Sequence, residues 1–121
     1  MLYLYFNIIK MPLVRVSIPS LNFDFKELST RLSQEMSVLT NKPENYIMVI
    51  IDINQHILFS RSSEPSAYLE VKSIGSLNPK KITKDISRLL GEITGINPSR
   101  IYMTFEDIKA SNWGHNETTF G

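Results

Sequence analysis

Leu13-Val14-Arg15-Val16-Ser17-Ile18 alternates apolar and polar side chains, the period-two signature of a half-buried β-strand. Pro19 ends it. Moved fifty-five residues along the chain, the stretch lands on 68–73, inside residues 67–74 (AYLEVKSI), which predict a second strand. The same step pairs Pro43 with Pro98, Met48 with Met103, Asp52 with Asp107 and Ile53 with Ile108. Matched spacing in the two halves predicts a duplicated β-α-β unit.

The segments between the strands fit that repeat. Asn22 or Asp24 can cap a helix, and Phe25, Leu28, Leu32, Met36 and Leu39 then recur at steps of three and four, one apolar helical face. Asn41 and Pro43 stop it. Residues 46–53 (YIMVIIDI) form a near-continuous apolar run of strand length, which predicts a buried strand. Residues 57–59 suggest a short extra strand, and 62–66 (SSEPS) a turn. In the second half Gly75 breaks the strand and Asn78 caps a helix with Pro79 at its first position. Ile82, Ile86, Leu89, Leu90 and Ile93 supply the apolar face, and Gly95 the stop. Residues 100–105 (RIYMTF) predict the fourth main strand, and the polar, aromatic tail a short further one. The expected class is α/β: a four-stranded mixed sheet with both helices on one face. The other face needs a cover that so small a chain cannot supply, which points to self-association.

The first strand is preceded by Met11-Pro12, and the ten residues before those, MLYLYFNIIK with Met11 following, are apolar. No basic region precedes the apolar run, and it is shorter than the roughly 20 residues a bilayer span needs. Residues 1–11 are expected to be an N-terminal extension, from a mis-called start or later removed, with the working domain at 12–121. The distinction matters chemically. A proline inside a chain is an amide; a proline at the start of a chain is a secondary amine, and so a base.

The remaining composition narrows the chemistry. The chain has 121 residues, 42% hydrophobic and 21% charged, as expected of one globular domain. A net charge of +1 gives no electrostatic case for nucleic acid or an acidic surface. With no cysteine, disulfides, thiolate metal sites and cysteine nucleophiles are excluded. There is no Gly-rich phosphate loop and no nucleophile-elbow serine, and His56 and His115 lack metal-ligand spacing. No cofactor and no metal are expected.

Taken together, Met11-Pro12, Asn41-Lys42-Pro43-Glu44-Asn45-Tyr46, Ser62-Ser63-Glu64-Pro65, Lys72-Ser73-Ile74-Gly75 and Pro98-Ser99-Arg100-Ile101-Tyr102 resemble the macrophage migration inhibitory factor family. That family belongs to the tautomerase superfamily and includes D-dopachrome tautomerase. The likeness runs in order from Pro12 to Gly121. It implies a homotrimer with three sheets around a central channel and active sites at subunit interfaces. It also implies a role for particular residues. Pro12 matches the catalytic base, Lys42 the substrate-binding lysine, and Ile74 the position whose backbone N–H meets the substrate. Tyr102 matches the active-site tyrosine, and Tyr46 and Phe120 match aromatics at the pocket mouth.

Three departures fall at the rim. Thr104 stands where the vertebrate cytokine has an asparagine, Trp113 where it has a valine, and His115 where it has a tryptophan. An aromatic is thus kept but moved two places earlier, which makes Trp113 a further substrate-binding candidate and adds an imidazole. Ser66 and Leu69 replace the cytokine's Cys-x-x-Cys, so the thiol–disulfide activity claimed for that motif is absent.

The resemblance therefore implies an isomerase: a keto–enol tautomerase of small aryl α-keto acids, of the phenylpyruvate type, with L-dopachrome isomerisation as a related activity. The competing expectation is a cytokine-like receptor-binding protein with a vestigial active site. Expected partners are the chain itself and a small aryl keto acid, with no nucleic acid and no membrane. The expected location is cytoplasmic, with leaderless secretion as in some family members.

Overall fold

The computed structural model describes residues 12–75 and 77–121. The expected extension at 1–11 lies outside the described residues. The chain runs β1 (Leu13–Ser17), α1 (Phe25–Thr40), β2 (Met48–Asp52), β3 (Ala67–Ser73), α2 (Pro79–Thr94) and β4 (Ile101–Asp107). A small hairpin, β5 (Gly114–His115) and β6 (Thr118–Thr119), follows. Single turns of 3-10 helix precede β2, β4 and β5, at Glu44–Tyr46, Pro98–Arg100 and Ala110–Asn112.

The helix boundaries follow from their caps. Asp24 accepts from the Lys26 and Glu27 N–H groups at 2.9 and 3.2 Å, satisfying donors that α1 leaves open at its start. Asn41 ends α1 in the left-handed region at φ 57°. Asn78 accepts from the Lys81 N–H at 3.2 Å, Pro79 opens α2, and Gly95 closes it at φ 81°.

The sheet order is β2-β1-β3-β4, with β1 parallel to β2, β3 parallel to β4, and the central pair antiparallel. Val14 and Val16 of β1, and Leu69 and Val71 of β3, point to one face and are buried there against Leu28, Leu32 and Met36 of α1 and Ile82, Ile86 and Leu90 of α2. The alternate residues, Arg15, Tyr68, Glu70 and Lys72, point to the face that no helix covers. There Arg15 reaches Asp52 at 3.6 Å and Glu70 at 4.0 Å.

The duplication holds, but its register is subtler than the sequence pairs imply. The inner strands match at the expected step, Val14 with Leu69 and Val16 with Val71. The helices and outer strands match one residue short of it: Leu28 with Ile82, Leu32 with Ile86, Met36 with Leu90, then Val49 with Met103 and Ile51 with Phe105. Met48 and Met103 therefore face opposite ways. Met103 packs on the core, whereas Met48 is 60% exposed on the open face.

Two strand expectations need correction. Residues 46–53 do not form a buried strand. Tyr46 belongs to the preceding 3-10 turn, and β2 is an edge strand, half-buried because only its helix side is covered. Residues 57–59 form no strand; Phe59 makes an isolated bridge to Ser62 across Ser60 and Arg61, both at positive φ. The same two-residue turn recurs at Asn116 and Glu117 between β5 and β6. Each half of the repeat thus carries a tight hairpin turn that its sequence does not advertise.

Candidate active site

The open face of the sheet, near the start of β1, is roofed by the tail to leave a cavity of about 620 Å³. That size suits a small ligand. Pro12 is buried at its edge. The Pro12 carbonyl accepts the Met48 N–H at 3.2 Å, which fixes the start of β1 against the start of β2.

One wall is built by the 3-10 turn before β2. The Tyr46 N–H donates to the Pro43 carbonyl at 3.1 Å and the Ile47 N–H to Glu44 at 2.9 Å, presenting Tyr46, Ile47 and Met48 to the cavity. The tail builds the opposite wall. A second 3-10 turn, closed by the Trp113 N–H on the Ala110 carbonyl at 3.2 Å, brings Asn112, Trp113 and His115 to the lining. The Phe120 N–H donates to the Trp113 carbonyl at 3.2 Å. The Phe120 ring stacks on His115 with centroids 5.7 Å apart and planes 11° from parallel. Sheet residues complete the site: Leu13 and Lys72, opposite one another across β1 and β3, and Ile108 past β4.

The structure brings three of the expected residues, Pro12, Tyr46 and Trp113, into one cavity. Phe120 touches it through His115. Ile74 is buried just beyond Ser73, its side chain in the interior. The turn after it is held by the Gly75 N–H on the Asp107 carboxylate at 3.0 Å. Lys42 is half-buried after α1 and is not in the lining of this cavity. Its N–H donates to the Ser37 carbonyl at 3.1 Å, and its carbonyl accepts the Ser37 hydroxyl. Tyr102 lies toward the opposite end of β4, 64% exposed, with its ring 4.7 Å from that of Phe59.

Lys72, Asn112 and His115 line the site and were not counted among its expected residues. His115 was visible as a departure at the rim. Lys72 was visible only as a polar position in an alternating strand, a pattern shared by every solvated lysine on a sheet. The electrostatic character of the cavity follows from them. Among the described residues, no Asp or Glu lines it, and Lys72 is the one Lys or Arg in the lining. Among the described residues, no cluster of His, Asp or Glu could hold a metal ion, and no helix is long and apolar enough to cross a membrane.

Comparison with known proteins agrees with this geometry. The family model for macrophage migration inhibitory factor matches residues 11–121. Macrophage migration inhibitory factor of Meriones unguiculatus is 35% identical over 96 residues, 77% of this chain and 84% of that protein. A homolog from Trichuris trichiura is 30% identical over 109 residues, 86% of this chain and 93% of the relative. The crystal structure of the homologue from Prochlorococcus marinus superimposes with a TM-score of 0.84 at 34% identity, covering 90% of this chain and 99% of that one. A sheet of two β-α-β repeats, a cavity opening beside Pro12, and these matches over nearly all of 12–121 lead to one assignment: the chain belongs to the macrophage migration inhibitory factor family of the tautomerase superfamily.

Proposed function

We propose that the protein is a keto–enol tautomerase of small aryl α-keto acids, phenylpyruvate and its relatives, with the Pro12 amine as general base. The observation that carries this reading is the burial of Pro12 beside a cavity walled by Tyr46 and Trp113, with no carboxylate among the described residues of its lining. A free prolyl amine in such surroundings is pushed toward its neutral form, because burial and a nearby cation both disfavour a second positive charge. The working chain then begins at Pro12, since an acylated proline nitrogen has no basic lone pair.

The reaction is a proton transfer. The neutral amine takes a proton from C3 of the keto acid, and the C–H electron pair moves into the C2–C3 bond as the carbonyl oxygen becomes an enolate. The protonated amine then delivers that proton to the oxygen, which gives the enol and restores the neutral base. Tyr46 and Trp113 flank the ring, and the Ile74 backbone N–H orients the polar end. Family membership supports isomerase activity in general; the aryl substrate class rests on the aromatic walls.

The remaining expected residues enter through assembly. The uncovered sheet face and the exposed Tyr102, Met48 and Leu58 fit a homotrimer in which each cavity is finished by its neighbour. On this reading Tyr102, exposed on an edge strand, serves the adjoining subunit's site.

The test is phenylpyruvate tautomerisation by the chain starting at Pro12 and by its Pro12→Gly variant. Loss of at least about a hundredfold is expected, the usual contribution of a positioned general base. An unchanged rate refutes the assignment.

A further inference from the structure

We infer that the groove along α2, at the end of the sheet remote from Pro12, is a second binding site, for a small phosphate monoester held by Lys84, Ser87 and Arg88. The groove has a volume of about 780 Å³. One side is the helix from Lys84 to Gly91, and the end wall is the turn at 95–98 that leads back to β4. That turn packs closely on the helix: a Cβ at Gly91 would stand 3.0 Å from the Ile96 carbonyl oxygen. β4 starts beyond the turn at Ile101, paired with Ala67, whereas Pro12 precedes Leu13, paired with Lys72 at the other end of β3. The groove and the cavity beside Pro12 are therefore separate sites.

Ser87 is the residue that marks a ligand. It lines the groove and is only 8% exposed. Ser29, Thr40 and Thr94 donate their hydroxyls back to carbonyls of their own helices. Among the described residues, the Ser87 hydroxyl makes no hydrogen bond. Nor is it sealed in: Ser66 Oγ is the unpartnered side-chain oxygen that is fully enclosed there. A buried hydroxyl that bonds to nothing, yet opens on a groove, is ready for an outside partner.

Charge identifies that partner. Lys84 and Arg88 are four residues apart on α2, so they share a face with Ser87 between them, and both line the groove. The carboxylate in the lining, Glu92, is 3.6 Å from Arg31, and the adjacent Asp85 is 3.1 Å from Lys81. Glu35 borders Arg88 in the cleft between the helices. Among the described residues, neither Lys84 nor Arg88 forms an ion pair with any of them. A phosphate monoester carries close to two negative charges and three acceptor oxygens, enough for ammonium, guanidinium and hydroxyl at once. A carboxylate has one charge and two oxygens. The phosphate belongs at Lys84 and Arg88, more than a turn short of the carbonyl end of α2, which repels anions. The rest of the groove runs past Gly91, Ile96 and Pro98, so the ester carries an apolar body.

The purified full-length chain, labelled with ¹⁵N, is titrated with butyl phosphate and with pentanoate. Saturable shifts of the Ser87, Arg88 and Gly91 amides are expected, with butyl phosphate bound about tenfold more tightly than pentanoate, the worth of one further charge-assisted hydrogen bond. The fluorescence of Trp113, which lines the other cavity, should stay unchanged. Replacing Lys84→Gln and Arg88→Gln together should weaken butyl phosphate by at least about tenfold. Ser87→Ala should weaken it by about threefold without lowering Tm, since the lost hydroxyl has no partner in the protein. Absence of saturation, shifts centred on Trp113 and His115, equal binding of the two anions, or undiminished affinity in the double variant overturns the inference. Binding is read without turnover and away from Pro12, so this reading and the tautomerase reading can each fail alone.

Discussion

Asp107, at the end of β4, accepts the Gly75 N–H at 3.0 Å, while Ile108 donates its own N–H to Ser73 at 2.8 Å. Two contacts thus clamp the turn after β3 to the end of β4, between cavity residues Lys72 and Ile108. Glycine suits the turn, since φ 91° lies in a region where only glycine is unstrained.

Asp107→Ala should release that turn and blur the position of the Ile74 N–H. A contact worth roughly 1 kcal/mol predicts about a fivefold rise in KM for phenylpyruvate. Asp107→Asn keeps an oxygen acceptor and should recover most of the loss. Steady-state kinetics on the two variants decide it; equal KM values for both and for the unsubstituted chain would count against the clamp.

The register of the repeat gives a second prediction. Met103 packs on the core and Met48 does not, although the two are paired by the simplest reading of the sequence. Met103→Ala should cost about 2 kcal/mol, the low end for truncating a core methionine because the site is only partly buried. Met48→Ala should cost far less and act instead on ligand affinity, since Met48 lines the cavity. Urea unfolding of both variants, read alongside Trp113 quenching, separates the two roles.

That contrast shows what the sequence could and could not disclose. Capping residues, helix faces and strand alternation are local, so Asn78, Gly95 and the run from Leu28 to Met36 declared themselves, and the first cap was narrowed to Asn22 or Asp24. A one-residue difference between the halves is not local. It shows only when Val49 and Met103 are seen on the same side of the sheet, because identity counts do not record which face a side chain takes. The apolar run at 46–53 misled for a related reason: a strand on an open edge can be apolar throughout when its exposed side awaits a partner. In the site, Pro12, Tyr46 and Trp113 were legible through the family likeness. Lys72 was not, because its place in the lining depends on the tail that builds the opposite wall.

Arg100 supplies a third prediction. Its Nε donates to the Pro65 carbonyl at 3.0 Å, and its Nη2 lies within 3.0 to 3.2 Å of the Phe59, Ser62 and Glu64 carbonyls. The guanidinium also sits 5.2 Å from the Phe59 ring centroid. One side chain therefore ties the whole turn at 59–65 to the start of β4, and through Phe59 steadies Tyr102. A lysine has the charge but not the fork. Arg100→Lys should destabilise by about 2 kcal/mol, from several half-exposed bonds lost together. It should also loosen the Phe59–Tyr102 contact. Thermal unfolding reads the first effect. If Tyr102 serves an adjoining subunit, a fall in kcat/KM larger than the stability loss explains reads the second.

The last prediction concerns the nitrogen of Pro12. With Lys10-Met11 attached, that nitrogen is an amide, and no rearrangement of the cavity restores its basicity. The cavity, its aromatic walls and Lys72 do not depend on a free amine. The chain retaining residues 1–11 should therefore show tautomerase activity lower by at least about a hundredfold than the chain starting at Pro12, provided intact mass shows the extension is uncleaved. Enzymatic or chemical removal of the extension should restore the rate. Comparable rates from both chains would mean that some other group takes the proton, and His115, whose imidazole lines the cavity, would be the residue to replace next.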